Sequence, residues 1–216
     1  MRYDLIIFDN DGVLVDSEPL ANTVLAAYLT EIGHPTTYED SLRDYMGGAL
    51  HRIHDTVRER TGQELPADFG DELLRRTLVV FERELEPVDG VVTVMETLEA
   101  EGVPYCLASS GRHERIAAGH RQTGLDRWFR TDRGNVFSAE DVGRGKPAPD
   151  LFLHAAERMG AAPERCVVVE DSPLGVQAAV AAGMDVYGFT VMAGKADLPG
   201  ATGYFGHMDE LLTLLA

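Results

Sequence analysis

The chain has 216 residues, 44% of which are hydrophobic, and a formal net charge of −17 at pH 7. This length and composition allow a sizeable buried core, in one large domain or in a domain with an insertion. The negative charge would repel nucleic acid and anionic membranes, so we expect neither as a partner, and an anionic substrate would need a local positive site or a metal.

Four short apolar runs predict β-strands. They are YDLIIF (3–8), VPYCLAS (103–109), CVVVE (166–170) and DVYGF (185–189). Each run is continuous rather than alternating, which is typical of strands buried on both faces of a sheet. Helical patterns that end in glycine lie in the same part of the chain, at 91–102, 150–160 and 174–183. This alternation predicts an α/β fold, a Rossmann-like parallel sheet with helices on both faces.

The section from Ser17 to Glu86 interrupts the alternation. It contains no clear strand, and its helical patterns cover 18–33, 50–62 and 69–86. Because this section begins directly after the first strand and its turn, we interpret it as an inserted helical domain. The predicted domains are therefore a core of residues 1–16 and 87–216 and an insertion of residues 17–86.

Polar residues that can carry chemistry follow the predicted strands. They are Asp9 and Asp11 after the first strand, Ser109 and Ser110 after the second, Glu170 and Asp171 at the end of CVVVE, and Lys146 in the segment GRGKPAPD. Ligands bind at the carboxyl ends of the strands in parallel sheets. If the strands are neighbours, all these side chains meet at one edge.

The four acids of this set cannot all remain ionised side by side without a cation. Oxygen ligands of this kind suit Mg²⁺, which we expect as the cofactor. Ser109 and Ser110, the first N–H groups of the following helix, and Lys146 form a site for an anion. The set predicts phosphoryl transfer in which Asp9 attacks phosphorus and Asp11 acts as general acid and then as general base.

Four motifs of the chain resemble those of the haloacid dehalogenase (HAD) superfamily of phosphatases. In order, they are FDNDGVLVDSE (8–18), ASS (108–110), GKPAPD (145–150) and VVVEDS (167–172). Their order and spacing agree with the superfamily, and the likeness runs nearly from end to end. The nearest subgroup contains β-phosphoglucomutase and sugar-phosphate phosphatases, including 6-phosphogluconate phosphatase-like proteins.

The resemblance implies roles for the acids. Asp9 would be the nucleophile and a metal ligand, and Asp11 would be the acid/base that also binds metal through its backbone carbonyl. Asp171, with Glu170, would complete the metal site. Asp11 favours phosphate-ester hydrolysis or phosphosugar mutase chemistry over dehalogenation, because dehalogenases lack an aspartate at this place.

The resemblance also implies a phosphate site. Ser109 and Lys146 would hold the phosphoryl group, with Ser110 beside them. We expect the backbone N–H of Asn10 to face the phosphate as well.

The inserted helices resemble the cap that covers small substrates in this superfamily. Gly47 and Gly48 lie in a stretch that looks like the cap loop facing the active site, where glycine lets the backbone approach a ligand. Arg76 falls near the place where relatives carry a basic residue toward the substrate. A flexible turn and a surface arginine are the plain alternatives for these residues.

The mutase of this subgroup carries a histidine on the first cap helix and an arginine in the cap loop. By simple alignment, this chain has Ala21 and Leu50 at these places. We therefore expect a Mg²⁺-dependent phosphomonoester hydrolase that acts on a small phosphorylated sugar or sugar acid through an aspartyl-phosphate. A phosphosugar mutase and a non-catalytic HAD-like protein are the alternatives.

Cysteine usage and the N-terminus indicate the compartment. Cys106 and Cys166 lie in apolar stretches, which predicts buried, reduced thiols rather than a disulfide. The short apolar run at the N-terminus is broken by acids, unlike a signal peptide, and no apolar segment is long enough to span a bilayer. We expect a cytoplasmic monomer or weak homo-oligomer whose partner is a small phosphorylated metabolite.

Overall fold

The computed structural model of the chain describes residues 2–45, 50–191 and 197–216. These residues contain six strands, β1 Leu5–Phe8, β2 Tyr105–Ser109, β3 Val136–Ser138, β4 Cys166–Glu170, β5 Asp185–Phe189 and β6 Gly203–Phe205. The strands form one parallel sheet in the order β3-β2-β1-β4-β5-β6. The predicted parallel sheet is confirmed, although β3 and β6 have only three residues each and carry too short a pattern to be found from sequence.

The described residues also form nine α-helices. They are α1 Glu18–Glu31, α2 Tyr38–Tyr45, α3 Leu50–Thr61, α4 Phe69–Glu84, α5 Val91–Ala100, α6 His113–Thr123, α7 Asp150–Met159, α8 Pro173–Ala181 and α9 Met208–Leu215. Within the described part of the chain, none of the helices is both long enough and apolar enough to cross a membrane.

Both faces of the sheet are covered, as the continuous apolar strands predict. Ile6 and Phe8 of β1 belong to a buried cluster with residues of α5, α6 and α9. Leu5 and Ile7 point to the other face and pack in a second cluster with residues of α7 and α8. Side chains alternate between the faces of a strand, so a strand covered on both sides must be apolar throughout.

The chain leads from β1 and from β4 toward opposite edges of the sheet. These two strands are paired at the centre of the sheet, where Ile7 aligns with Val168. From β1 the chain continues to β2 on one side, and from β4 it continues to β5 on the other. The crevice at the carboxyl ends of such a strand pair is the usual place for a ligand in an α/β sheet.

Helices α1–α4, which we call the cap segment, bury an apolar cluster of their own. Tyr28 of α1 stacks on Phe69 at the start of α4, with ring centroids 5.0 Å apart and an angle of 7° between the planes. Leu29 and Val57 pack in the same cluster, which is separate from the two clusters on the sheet.

The two chain crossings between sheet and cap segment run side by side. The N–H of Asp16 donates to the carbonyl of Glu86, and that of Val88 donates to the carbonyl of Leu14, each at 3.0 Å. We propose that this pair of crossings marks the boundary between a core of 1–16 and 87–216 and a cap of 17–86.

The cap segment packs on the core where its helix α4 contacts helix α6 of the core. Phe81 and Leu85, at the end of α4, are part of the buried cluster with Ile116 of α6. An ion pair between Arg112 and Asp71, 2.8 Å long, also joins the core to the cap segment. These contacts hold the cap segment over the carboxyl ends of the strands.

We expect replacement of Phe69 by alanine to loosen the cap segment and to leave the sheet intact. Phe69 is fully buried, and loss of such a side chain costs about 3–5 kcal/mol. Because its cluster is separate, amide hydrogen exchange should accelerate in α1–α4 and remain slow in β1 and β4. Val79→Ala, on the same helix but 42% exposed, is the matched control. Equal acceleration in cap segment and sheet would contradict the prediction.

Candidate active site

Three carboxylates meet at the carboxyl ends of β1 and β4. Asp9 follows β1, Glu170 is the last residue of β4, and Asp171 follows it; all three are buried. Because the two strands are paired, one oxygen of each carboxylate lies within 4.8 Å of those of the other two. The structure thus brings together three of the four acids singled out from the sequence.

Lys146 places a positive charge among these acids. Its Nζ donates to Asp9 Oδ1 at 2.5 Å and to Glu170 Oε1 at 2.7 Å. Burial alone would lower the pKa of Lys146, but Asp9 and Glu170 outweigh it and raise that pKa above its usual value. Burial raises the pKa of Asp9 despite Lys146, and burial together with Glu170 raises the pKa of Asp171. A further cation would therefore favour the ionised form of these acids.

The cluster fits a hard divalent cation such as Mg²⁺. All its donors are oxygens, and the carbonyl oxygen of Asp11 accepts no hydrogen bond from the described residues. Two glycines leave room for the carboxylates: a Cβ on Gly12 would overlap Asp171 Oδ2, and a Cβ on Gly175 would overlap Glu170 Oε1. Gly12 also has a φ of +78°, a conformation that favours glycine.

Asp11 is held by a different set of donors from Asp9. Its Oδ1 accepts hydrogen bonds from Ser17 Oγ at 2.5 Å and from Arg115 Nη2 at 2.6 Å, and its Oδ2 accepts one from Asn10 Nδ2 at 3.3 Å. Burial would raise the pKa of Asp11, but the charge of Arg115 and the hydroxyl of Ser17 lower it. In the substrate-free chain these donors hold the carboxylate next to Asp9 and favour its ionised form.

The side chain of Asn10 connects Asp11 to a buried histidine of α6. Its Oδ1 lies 2.7 Å from Nε2 of His120, which is 2% exposed. Burial lowers the pKa of His120 to about 4, so the ring is neutral at physiological pH. The expectation that the backbone N–H of Asn10 faces a phosphate stays a prediction.

Ser109 and Ser110 follow β2 at the same edge of the sheet. The hydroxyl of Ser109 accepts a hydrogen bond from the N–H of Gly111 at 2.9 Å and lies 3.5 Å from Asp11 Oδ2. Ser110 is half-buried and lines the cavity described below. The first N–H of α6, that of His113, donates to Glu140 at 2.8 Å. This donor is therefore already satisfied. The two serines, Lys146 and the other N–H groups in the first turn of α6 stay the predicted phosphate-binding groups.

A cavity of about 210 Å³ lies between these residues and the cap segment. Asp9, Asp11 and Lys146 line it on the core side. The cap side is largely apolar. It contains Ala21, Leu25, Leu50, Ile53, Leu73 and Leu74, and the polar side chains of Asn22, Tyr45 and Thr77 also line it. The volume is below the roughly 300–1,000 Å³ of drug-sized sites, which favours a small substrate.

One acid of the cap segment also lines the cavity. Glu18 is buried at the start of α1, and its Oε2 accepts a hydrogen bond from Asn22 Nδ2 at 2.8 Å. Asn22 Oδ1 in turn accepts one from Ser41 at 2.8 Å. Burial, and after it the charge of Asp11, raise the pKa of Glu18 to about 7 against the opposing charge of Arg115.

The cap residues predicted from the sequence to bind substrate have different outcomes. Gly47 and Gly48 lie outside the described residues. Arg76 does not line the cavity: it forms ion pairs with Glu31 and Glu72, both at 2.7 Å, and its guanidinium lies over the ring of Tyr28. A substrate contact by Arg76 stays a prediction that this arrangement does not support.

Sequence reasoning missed three residues of the site. Glu18 is the last residue of the motif FDNDGVLVDSE, and Arg115 lies in the first turn of the helix after ASS, so both had a local signal. His120 had none, because α6 brings it beneath Asn10 only in the folded chain.

Comparison with known proteins identifies the family. A model of the haloacid dehalogenase-like hydrolases matches residues 3–183. The chain belongs to the haloacid dehalogenase-like hydrolases. The predicted family is therefore confirmed, and the acids at the ends of β1 and β4 belong to the matched region.

Relatives of this hydrolase include named phosphatases. It is 30% identical to 6-phosphogluconate phosphatase of Escherichia coli, over 87% of this chain and 83% of that protein. It is 31% identical to hexitol phosphatase A of the same organism, over 86% and 82% of the two chains. A crystal structure of a HAD family hydrolase from Deinococcus radiodurans, with bound phosphate and sodium, is 31% identical with a TM-score of 0.80 over 100% of this chain and 96% of that one.

We expect Glu18→Gln to stabilise the metal-free hydrolase in a pH-dependent way. Folding raises the pKa of Glu18 from 4.5 to about 7, so the unfolded state loses this proton first and stability falls as the pH rises between these values. The variant should therefore raise the free energy of unfolding by about 3 kcal/mol at pH ~8 and by less than half of that near pH 5.5. Urea unfolding of the two proteins at both pH values measures the difference.

Glu39→Gln, an exposed position of α2, makes the same change of charge and serves as the control. A gain of equal size at both pH values, or no gain in Glu18→Gln, would contradict the role of burial.

Proposed function

We propose that this hydrolase is a Mg²⁺-dependent phosphomonoesterase that acts on a small phosphorylated sugar or sugar acid. The observation that carries the proposal is the pair Asp9 and Asp11 on the core side of a small cavity. Asp9 is paired with the buried cation Lys146, and Asp11 is fixed beside it. The named phosphatases among the relatives support the same class of reaction.

In the first step, an oxygen of Asp9 forms a bond to phosphorus while the bond from phosphorus to the ester oxygen breaks. The negative charge of a bound phosphate ester favours the protonated form of Asp11, which donates its proton to the leaving oxygen, so the alcohol departs neutral. In the second step, Asp11 accepts a proton from water, whose oxygen attacks phosphorus and releases phosphate from Asp9. Asp9 Oδ1 is held by Lys146, and no described residue donates to Oδ2, which leaves Oδ2 to attack.

Mg²⁺ bound by Asp9, Asp171 and the carbonyl of Asp11, with Glu170 beside them, would neutralise charge on the phosphoryl oxygens. Lys146 and the hydroxyl groups of Ser109 and Ser110 would bind the same oxygens. Lys146 also balances Glu170, whose Oε2 accepts hydrogen bonds from the N–H and hydroxyl of Ser172.

The apolar cap side of the cavity supports hydrolysis over mutase chemistry. Ala21 and Leu50 both line the cavity, and neither can hold a second phosphate or move a proton. A cavity that binds one phosphate and one small leaving group is sufficient for transfer to water. A cytoplasmic location and a monomeric or weakly associated state are further parts of this proposal.

We expect phosphate release from a panel of sugar, sugar-alcohol and sugar-acid phosphates, and we expect Asp9→Asn to abolish it. The amide has the shape of the carboxylate but cannot attack phosphorus, so the rate should fall at least about 10³-fold. Asp16→Asn, the same change at an exposed residue outside the site, is the control. Release that persists in Asp9→Asn would contradict the aspartyl-phosphate, and transfer of phosphate to the sugar instead of water would favour the mutase.

We expect activity to need a divalent cation. Removal of metal with EDTA should abolish phosphate release, and added Mg²⁺ should restore it more fully than Ca²⁺, because Mg²⁺ suits few carboxylates and a phosphate oxygen. Asp171→Asn should weaken Mg²⁺ binding about 10-fold or more, measured by calorimetry without substrate. Full activity in EDTA would contradict the metal site.

A further inference from the structure

The residue between the two catalytic acids is anchored to α6. Asn10 is 3% exposed and His120 is 2% exposed, and Nε2 of His120 lies 2.7 Å from Asn10 Oδ1. The carbonyl of Asn10 accepts two more hydrogen bonds, from the N–H groups of Leu14 and Val15. This residue therefore fixes the loop that carries Asp9 and Asp11.

Elementary chemistry sets the direction of the hydrogen bonds. The carboxylate of Asp11 can only accept, so the amide nitrogen of Asn10 must face it and the amide oxygen must face His120. His120 must then donate through Nε2–H. Its pKa of about 4 makes the ring neutral, so its proton lies on Nε2 and not on Nδ1.

We propose that His120 is a positioning residue for the acid/base Asp11 and acts through the side chain of Asn10. This inference rests on the proposed phosphatase function. Without the His120 donor, the amide of Asn10 has an unsatisfied buried oxygen, and only its long 3.3 Å hydrogen bond to Asp11 is left to fix the side chain. Arg115 and Ser17 would still hold Oδ1 of Asp11, but Oδ2 would lose Asn10 as a donor.

Two substrates with different leaving groups can distinguish a positioning role of His120 from a general structural role. An alkyl phosphate releases a poor leaving group, an alkoxide, and needs the proton of Asp11. 4-Nitrophenyl phosphate releases a stable phenolate and needs no proton. A misplaced Asp11 therefore slows the first substrate much more than the second, whereas a loosened fold slows both alike.

The experiment compares kcat/KM for sorbitol 6-phosphate and 4-nitrophenyl phosphate, with saturating Mg²⁺. This parameter reports the steps up to departure of the alcohol and is independent of hydrolysis of the aspartyl-phosphate. We expect His120→Phe to lower kcat/KM for the alkyl ester at least about 10-fold more than for the aryl ester. His120→Gln, which keeps an N–H donor, should restore the ratio to within about 3-fold of the wild type.

His154→Phe on α7 is the matched control, because both histidines lie against a phenylalanine ring. The ring centroids are 5.5 Å apart for His120 and Phe129 and 5.6 Å apart for His154 and Phe137. This control should leave the ratio unchanged. If His120→Phe does not fold, Asn10→Ala removes the amide from the other end and should shift the ratio in the same direction.

Two results would overturn the proposal: an equal loss for both esters in the folded variants, or a ratio that His120→Gln does not restore. Absence of phosphate release by the wild-type protein from both esters and from the whole panel of sugar, sugar-alcohol and sugar-acid phosphates would instead remove the proposed function on which it rests.

Discussion

The site depends on one constraint, the burial of several carboxylates at the point where β1 and β4 meet. Asp9, Glu170 and Asp171 are held within a few ångströms of one another, where their mutual repulsion is strong because water is excluded. Lys146 relieves part of this repulsion and its position is fixed by two of the acids. The remaining negative charge is the reason that we propose the cluster as a site for a divalent cation and, through that cation, for a phosphate ester.

The two acids that we propose as catalytic, Asp9 and Asp11, have contrasting surroundings although one residue separates them. Asp9 is paired with a lysine that also serves Glu170, so its charge is shared within the cluster. Asp11 is held by Arg115 and Ser17, from α6 and from the chain leading into α1. This division suits a nucleophile that must face phosphorus and a neighbour that must move a proton, because each carboxylate has its own set of partners.

Much of the fold and of the site follows from the sequence, and the exceptions have physical reasons. Apolar runs predicted β1, β2, β4 and β5, because a strand that is buried on both faces is a continuous apolar run in the sequence. The three-residue strands β3 and β6 are determined by pairing with a neighbour, which no local pattern records. The short helix α2 was not predicted from the sequence either, because its position depends on its packing against α1 and α3.

By itself, the sequence determined the order of the acids, the serines and Lys146 along the chain, and therefore the family and the class of chemistry. Those residues stand next to strand ends, and parallel pairing brings strand ends together whatever the details of the helices. Only the tertiary structure decided that Arg115 would face Asp11, that Glu18 would be buried in the cavity, and that Arg76 would pair with Glu31 outside it. These contacts depend on segments far apart in sequence, and their geometry comes from how α1, α4 and α6 pack on one another and on the sheet. Local residue types and spacing do not record that packing.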